Sequence, residues 1–263
     1  MSRINNAFKN GKAFIAFITG GDPSIEKTKE FVLEIIKAGA DLVEIGIPFS
    51  DPIAEGPVIQ EANNRALAAG ATIEKLFTLV ADLRKDPVSA NVPLVFLTYI
   101  NPVFYYGYDA FFKRSADVGL DGIIIPDVPY EEQPPVREAA EKYNIDLISL
   151  IAPTSEARIK EIAKNASGFI YLVSSMGVTG IRSEITTDLS SITKAIKSVT
   201  DTPVAVGFGI HTPQQAAEMS KIADGVIVGS AIVKIIAQHS EHSAQQLFNY
   251  VKEMKESVLG KSF

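Results

Sequence analysis

The stretch Gly39-Ala-Asp-Leu-Val-Glu-Ile-Gly46 passes directly from the end of a helix into a short apolar run. Gly39 is typical of a helix stop, and the run that follows has the character of a strand. The same joint returns at Gly119-Leu-Asp-Gly-Ile123 and at Ile222-Ala-Asp-Gly-Val226. The chain is therefore predicted to consist of repeated β/α units.

Eight apolar runs of this kind occur along the chain, and they are nearly continuous rather than alternating. Strands that are buried on both faces of a parallel sheet have this character. The segments between the runs have helical period; Ile25, Val32 and Ile36, for example, share one helix face. The predicted strands are Ala13–Ile18, Leu42–Gly46, Pro93–Tyr99, Gly122–Pro126, Leu147–Ala152, Phe169–Ser174, Pro203–Phe208 and Gly225–Gly229.

Strands that alternate with helices form either a closed barrel or an open doubly wound sheet. No Gly-x-Gly-x-x-Gly follows the first strand, which disfavours the dinucleotide-binding form of the open sheet. The count of eight runs favours an α/β fold, the eight-stranded parallel (β/α)8 TIM barrel, with residues 1–263 as a single domain. Functional groups in that fold lie in the loops after the carboxyl ends of the strands.

The composition restricts the class of function. The 263 residues carry a formal net charge of −6, so a general role on nucleic acid or membrane surfaces is not expected. The chain has no cysteine and therefore no disulfide, cysteine nucleophile or thiolate zinc site. His211, His239 and His242 lack metal-ligand spacing, so no metal site is predicted. The polar N-terminus and the lack of a long apolar run predict a soluble cytoplasmic protein.

Two acidic residues mark the end of the second strand. Glu44 lies inside the apolar run, where a carboxylate is costly unless it is paired or neutral and where burial raises its pKa. That environment suits a general acid, or else a structural carboxylate that bonds the neighbouring strands. Glu55 follows in a proline-bounded loop from which it could reach the same barrel mouth, although a solvated loop acid is the simpler interpretation of Glu55 alone.

The last three strands end in glycine-rich turns at Gly177–Gly180, Gly207–Ile210 and Gly229–Ala231. Glycine lets backbone N–H groups approach a phosphate, and the positive end of a following helix adds to the attraction. Turns after the seventh and eighth strands commonly hold phosphate in such barrels. Together the turns predict a phosphate site, to which Ser230 adds a hydroxyl.

Three other features allow two interpretations each. Tyr171, in the sixth strand, is a site residue or part of the core. Asp127, at the end of the fourth strand, serves the site or caps a turn. The aromatic loop Val103–Tyr108 is a partner surface or ordinary loop packing.

The segment Leu42-Val-Glu-Ile-Gly-Ile-Pro-Phe-Ser-Asp-Pro-Ile-Ala-Glu-Gly-Pro-Val-Ile-Gln60 resembles the signature of the tryptophan synthase α subunit family. This match is long and specific, and shorter matches follow in family order across nearly the whole chain. They are Phe17–Pro23, Tyr99–Pro102, Pro126–Pro129, Gly177–Gly180, Val206–Ile210 and Val228–Ala231. The resemblance implies a barrel with an extra N-terminal helix at about Arg3–Lys9.

The family cleaves indole-3-glycerol phosphate to indole and glyceraldehyde 3-phosphate, a retro-aldol reaction of tryptophan biosynthesis. The resemblance therefore implies a carbon–carbon lyase that passes indole to a β subunit within an αββα tetramer. It implies no cofactor in this chain, because pyridoxal phosphate belongs to the β subunit. Another phosphate-binding barrel enzyme would share the glycine turns but lack Pro48-Phe-Ser-Asp-Pro52, and a non-catalytic activator of the β subunit would not need Glu44 and Glu55.

The resemblance also implies roles for individual residues. Glu44 is the acid that protonates indole C3 and takes the proton of the side-chain hydroxyl, and Glu55 bonds the ring N–H. Thr179 bonds Glu55 when the loops close. The catalytic set also includes Tyr171. The pocket and the phosphate site are completed by Phe17, Phe208, Gly180, Gly209, Gly229 and Ser230.

Two departures from the family pattern concern the site. Asp is the commoner residue at position 55, and Glu55 is one methylene longer. The loop is therefore expected to sit further back, or the side chain to bend. Ser174-Ser-Met176 stands where the family often has an Arg.

Overall fold

Parallel strands form the centre of this computed structural model, which describes residues 3–174 and 188–260. They are β1 (Ala13–Thr19), β2 (Leu42–Gly46), β3 (Leu94–Leu97), β4 (Gly122–Ile124), β5 (Asp146–Leu147), β6 (Ser149–Ile151), β7 (Ile170–Val173), β8 (Val204–Gly207) and β9 (Gly225–Val228). Their order across the sheet is β5-β4-β3-β2-β1-β9-β8-β7-β6. Each of the eight predicted strand positions thus contains strand structure.

The two ends of the sheet meet in one short segment of chain. Only Ile148 separates β5, which pairs with β4, from β6, which pairs with β7. The Ile148 N–H also donates to the Ile123 carbonyl of β4, at 2.9 Å. The predicted fifth strand is therefore present as β5 and β6 together, and the prediction of a parallel TIM barrel is confirmed.

Helices surround the barrel: α1 (Ile25–Lys37), α2 (Pro57–Ala68), α3 (Ile73–Lys85), α4 (Ile100–Tyr106), α5 (Tyr108–Val118), α6 (Pro134–Lys142), α7 (Glu156–Lys164), α8 (Leu189–Lys197), α9 (Pro213–Ser220), α10 (Ser230–His239) and α11 (Ala244–Val258). Local sequence signals set several of their ends. Ser24 caps α1 through the Lys27 N–H, and Gly119 ends α5 in the left-handed conformation at φ +81°. Thr212 and Gln215 form a capping box at the start of α9.

The N-terminal helix predicted at about Arg3–Lys9 is a 3-10 helix at Arg3–Phe8. It closes the amino end of the barrel, because Ile4 is buried among the inward-facing side chains and Phe8 lies against Phe169 at 6.0 Å between ring centroids. Arg3 Nη1 pairs with Asp121 Oδ1 at 2.5 Å. Because this 3-10 helix covers the amino end of the barrel, the carboxyl end of the strands remains as the place for a ligand.

The barrel separates two apolar cores. Inward-facing side chains such as Ile15, Leu42 and Ile227 fill its interior, whereas Ala16 and Ile18 on the opposite face of β1 pack against the helices. All seven residues of β1 are buried. Burial on both faces explains why the strands are continuously apolar in sequence.

Candidate active site

A cleft lies at the carboxyl ends of the strands. Its walls are largely apolar and include Leu97, Ile124, Leu150, Ile210 and Ile227. Eight residues predicted for the site line it: Phe17, Glu44, Glu55, Tyr171, Phe208, Gly209, Gly229 and Ser230. Thr179 and Gly180, together with the Ser175-Met176 departure, lie outside the described residues.

Glu44 projects from β2 into the cleft, in register with Phe17 of β1 and Val95 of β3. Only 1% of the residue is exposed, and within the described chain Glu44 Oε1 has no hydrogen-bond partner. Burial raises the pKa of Glu44 from 4.5 to about 8. The side chain is therefore mostly protonated at neutral pH and can donate a proton to a bound ligand.

Tyr171 lies on the cleft wall at the centre of β7. An added Cβ on Gly207 would come within 2.3 Å of its hydroxyl oxygen, so the glycine makes room for the phenol. The Tyr171 ring meets Phe208 edge to face, with 5.8 Å between centroids. Burial, and secondarily the charge of Glu44, raises the pKa of Tyr171 well above its usual value. The hydroxyl is therefore neutral at physiological pH.

Glu55 lies in the loop between β2 and α2 and is only 6% exposed. The interpretation of Glu55 as a solvated loop acid is thus wrong, because the surrounding tertiary structure covers it. Asn63 Nδ2 donates to Glu55 Oε2 at 2.8 Å, and Tyr99 also hydrogen-bonds the carboxyl group. Burial raises the pKa of Glu55 to about 7, although both hydrogen bonds act in the opposite direction.

Asn63 and Tyr99 are site residues that the motifs did not single out. Asn63 lies on α2, eight residues after Glu55, and is buried. Tyr99 follows β3, where its hydroxyl accepts the Ala54 N–H at 3.1 Å. The only available signal was that Tyr99 stands at a strand end within one of the shorter family matches.

Helix α2 is anchored to the loop after β1 by an ion pair. Arg65 Nε and Nη2 donate to the two carboxylate oxygens of Asp22 at 2.9 and 2.7 Å, and Asp22 is buried. Such bidentate geometry fixes orientation as well as distance. It therefore holds the helix that carries Asn63 and the cleft residue Ile59.

The cleft is also lined by the residues predicted to bind phosphate, Gly209, Gly229 and Ser230. Gly229 is the N-cap of α10, and in the described chain no side chain caps this helix end. The first backbone N–H groups and the positive end of the helix dipole are suited to an anion. The arrangement can accept a ligand with an apolar body and an anionic end.

The structure also describes the surroundings of the two other features, Asp127 and Val103–Tyr108. Asp127 caps α4, because its carboxylate oxygens accept the Ile100 N–H at 3.0 and 3.2 Å. Val103–Tyr108 is not a loop but the end of α4 and the start of α5. Val103 is buried, whereas Phe104 is 68% and Tyr105 93% exposed.

Within residues 3–174 and 188–260, no cluster of three His, Asp or Glu side chains could hold a metal ion. The same part of the chain contains no helix that is long and apolar enough to cross a membrane.

The raised pKa of Glu44 predicts a pH-dependent stability. The folded chain holds this proton more tightly than the unfolded chain, so the stabilisation is complete below pH 4.5 and is lost as the pH rises through about 8. Between these limits the free energy of unfolding should fall by about 1.4 kcal/mol per pH unit because of Glu44. Urea unfolding between pH 4.5 and about 8 should show that the free energy of unfolding declines less steeply with pH for Glu44→Gln than for the wild-type chain. Equal slopes for the two proteins would contradict the prediction.

The barrel and its cleft define a class: a β/α-barrel protein whose cleft, in the described part of the chain, combines the buried carboxyl groups of Glu44 and Glu55 with a helix end that no side chain caps. Residues 4–259 match the family described as tryptophan synthase alpha chain. The chain belongs to this family, whose members are enzyme subunits of a lyase complex in tryptophan biosynthesis.

Individual relatives agree with this assignment. The tryptophan synthase alpha chain of Lacticaseibacillus casei is 51% identical, with 98% of this chain and 96% of the relative covered. That of Lactiplantibacillus plantarum is 49% identical, with 100% and 98% covered. The crystal structure of the Legionella pneumophila alpha chain superposes with a TM-score of 0.89 at 34% identity, covering 99% of this chain and 98% of that chain. A chain of the Pyrococcus furiosus tryptophan synthase complex gives 0.84 at 33% identity, covering 93% and 99%.

Proposed function

We propose that the chain cleaves indole-3-glycerol phosphate to indole and glyceraldehyde 3-phosphate. The observation that supports this reaction most directly is the pairing of Glu44 and Glu55 in one apolar cleft, each with a pKa raised by burial. Carboxyl groups of this kind can exchange protons near neutral pH, which the reaction requires. The identity of the substrate is inferred from the chain's membership of the family.

The proposed reaction begins with transfer of the Glu44 proton to indole C3, which turns the ring into an indolenine-like cation. The ionised form of Glu55 accepts a hydrogen bond from the ring N–H and stabilises its growing positive charge. Glu44, now a carboxylate, takes the proton of the hydroxyl on the adjoining side-chain carbon. The electrons of that O–H bond form the aldehyde, and those of the broken C–C bond return to the ring. Glu44 ends the cycle protonated, so the protons balance.

Substrate binding is divided between two groups of cleft residues. The apolar walls, including Phe17 and Phe208, would hold the indole ring, and the neutral phenol of Tyr171 would lie beside that ring. Gly209, Gly229 and Ser230 would hold the phosphate at the start of α10. The proposed steps use only groups of this chain, and pyridoxal phosphate is assigned to the β subunit.

An indole-release assay on indole-3-glycerol phosphate, with and without a β subunit, tests the proposal. We expect indole and glyceraldehyde 3-phosphate in equal amounts, and faster release when the β subunit is present. A folded chain that releases no indole under either condition would overturn the proposed activity. If this inactive chain nevertheless accelerates the reaction of the β subunit, a purely activating role would be supported.

We further propose that Ile53, Phe104 and Tyr105 contact the β subunit in an αββα assembly. Ile53, in the loop after β2, is 72% exposed, and Phe104 and Tyr105 lie on α4 after β3. Both segments follow strands at the carboxyl end of the barrel, beside the cleft from which indole must leave. Exposed aromatic side chains are typical of the residues that dominate interface energetics.

The double substitution Phe104→Ser and Tyr105→Ser is expected to weaken binding to the β subunit at least tenfold, because it removes two aromatic anchors. Titration calorimetry with the β subunit measures the change. Leu259→Ser, which alters an exposed apolar side chain after α11, is the matched control and should bind normally. Unchanged affinity of the double variant would place the interface elsewhere.

A further inference from the structure

The segment Phe208–His211, here called the phosphate turn, follows β8 and contributes Gly209 to the cleft. Two of its residues in succession have left-handed backbones, Phe208 at φ +75° and Gly209 at φ +82°. Glycine adopts this region freely, whereas a phenylalanine there is strained and persists only when its surroundings hold it. The conformation of the phosphate turn therefore depends on contacts from outside it.

Side chains hold three carbonyl groups of this segment. Ser174 Oγ donates to the Phe208 carbonyl at 2.5 Å, and His211 Nδ1 donates to the Gly209 carbonyl at 2.9 Å. The Tyr250 hydroxyl donates to the His211 carbonyl at 2.9 Å. Because a carbonyl oxygen only accepts, the hydrogen of the second bond must lie on His211 Nδ1.

These bonds matter for an anion because carbonyl oxygens repel it, whereas backbone N–H groups attract it. The residues that hold the Gly209 and His211 carbonyls, His211 and Tyr250, are not among the described residues that line the cleft. The two bonds thus engage the oxygens of the turn on its far side from the ligand.

His211 is itself fixed by two helices. Gln215 Oε1 of α9 accepts the N–H groups of His211 and Thr212 at 3.0 and 3.2 Å. Tyr250 belongs to α11, which packs against α9. The outer helices therefore hold the backbone of His211, and its imidazole connects that fixed backbone to Gly209.

We propose that His211 is a positioning residue for the substrate phosphate. Its Nδ1–H holds the Gly209 carbonyl away from the anion and so keeps the phosphate turn in its binding conformation. The inference rests on the proposed function for the identity of the ligand. It assigns a role to a histidine that has neither metal-ligand spacing nor contact with the cleft.

The test uses the reverse reaction, in which indole and glyceraldehyde 3-phosphate are separate ligands. His211→Ala should raise the KM for glyceraldehyde 3-phosphate about fivefold, the effect of losing one ordinary hydrogen bond, and leave the KM for indole unchanged. His211→Asn can place an amide N–H where Nδ1–H was and should restore most of the affinity. His239→Ala, at an exposed histidine, is the matched control.

Two results would overturn the role of His211: an unchanged KM for glyceraldehyde 3-phosphate in folded His211→Ala, or an equal rise in both KM values, which would indicate general loosening. Calorimetric binding of inorganic phosphate to the wild-type chain and to His211→Ala separates this inference from the proposed activity. If the wild-type chain releases no indole but binds phosphate more tightly than His211→Ala, the proposed reaction fails and the role of His211 in anion binding stands.

Discussion

Glu44→Gln is expected to lower the kcat for indole release by about 10²–10⁴-fold, the range that a positioned acid–base group contributes. The amide is close to the carboxyl group in size, but it can neither protonate indole C3 nor take the hydroxyl proton. Glu44 lines the cleft, and its Oε1 has no partner among the described residues, so its loss should not rearrange a hydrogen-bond network at that atom.

Initial rates with purified Glu44→Gln, in the presence of the β subunit, measure the effect. Binding of glyceraldehyde 3-phosphate should remain close to that of the wild-type chain, because the phosphate turn and the start of α10 are unaltered. Glu241→Gln, at an exposed glutamate of the Ser240–His242 turn, is the matched control. Normal turnover by Glu44→Gln would remove Glu44 from the mechanism.

Substitution of Glu55 is expected to have the second largest effect. Glu55→Gln should lower kcat by about 10²–10³-fold, because it removes the negative charge opposite the growing positive charge of the ring. Glu55→Asp keeps that charge, restores the residue that is commoner in the family and should remain active. The ratio of the two kcat values therefore distinguishes the contribution of the negative charge of Glu55 from that of its side-chain length.

The pH dependence of kcat/KM is a second measurement that tests the role of Glu55. Glu55 must be ionised and Glu44 protonated, so kcat/KM should rise as the pH passes through about 7 and fall as it passes through about 8. Glu55→Gln should lose the acidic limb. Complete inactivity of a folded Glu55→Asp would instead show that the bonds from Asn63 and Tyr99 require the longer side chain.

Much of the barrel could be predicted from local patterns. Strands buried on both faces must be apolar throughout, and each helix must end before the next strand, so the joints at Gly39 and Gly119 are visible without coordinates. The fifth strand was predicted as one run, whereas the chain breaks it at Ile148. That break depends on how β5 and β6 pair with different neighbours, which a local pattern does not contain.

For the site, the chain itself specified Glu44, because a carboxylate inside a strand of apolar residues is recognisable wherever that strand lies. It also specified the glycine turns and, through the family signature, the position of Glu55. The burial of Glu55, its bonds to Asn63 and Tyr99, and the contacts of His211 with Gly209 and Tyr250 became visible only in the folded chain. The physical reason is the same in each case. A residue type and its neighbours in sequence set local propensity, whereas desolvation and hydrogen bonding depend on groups that folding brings together from distant parts of the chain.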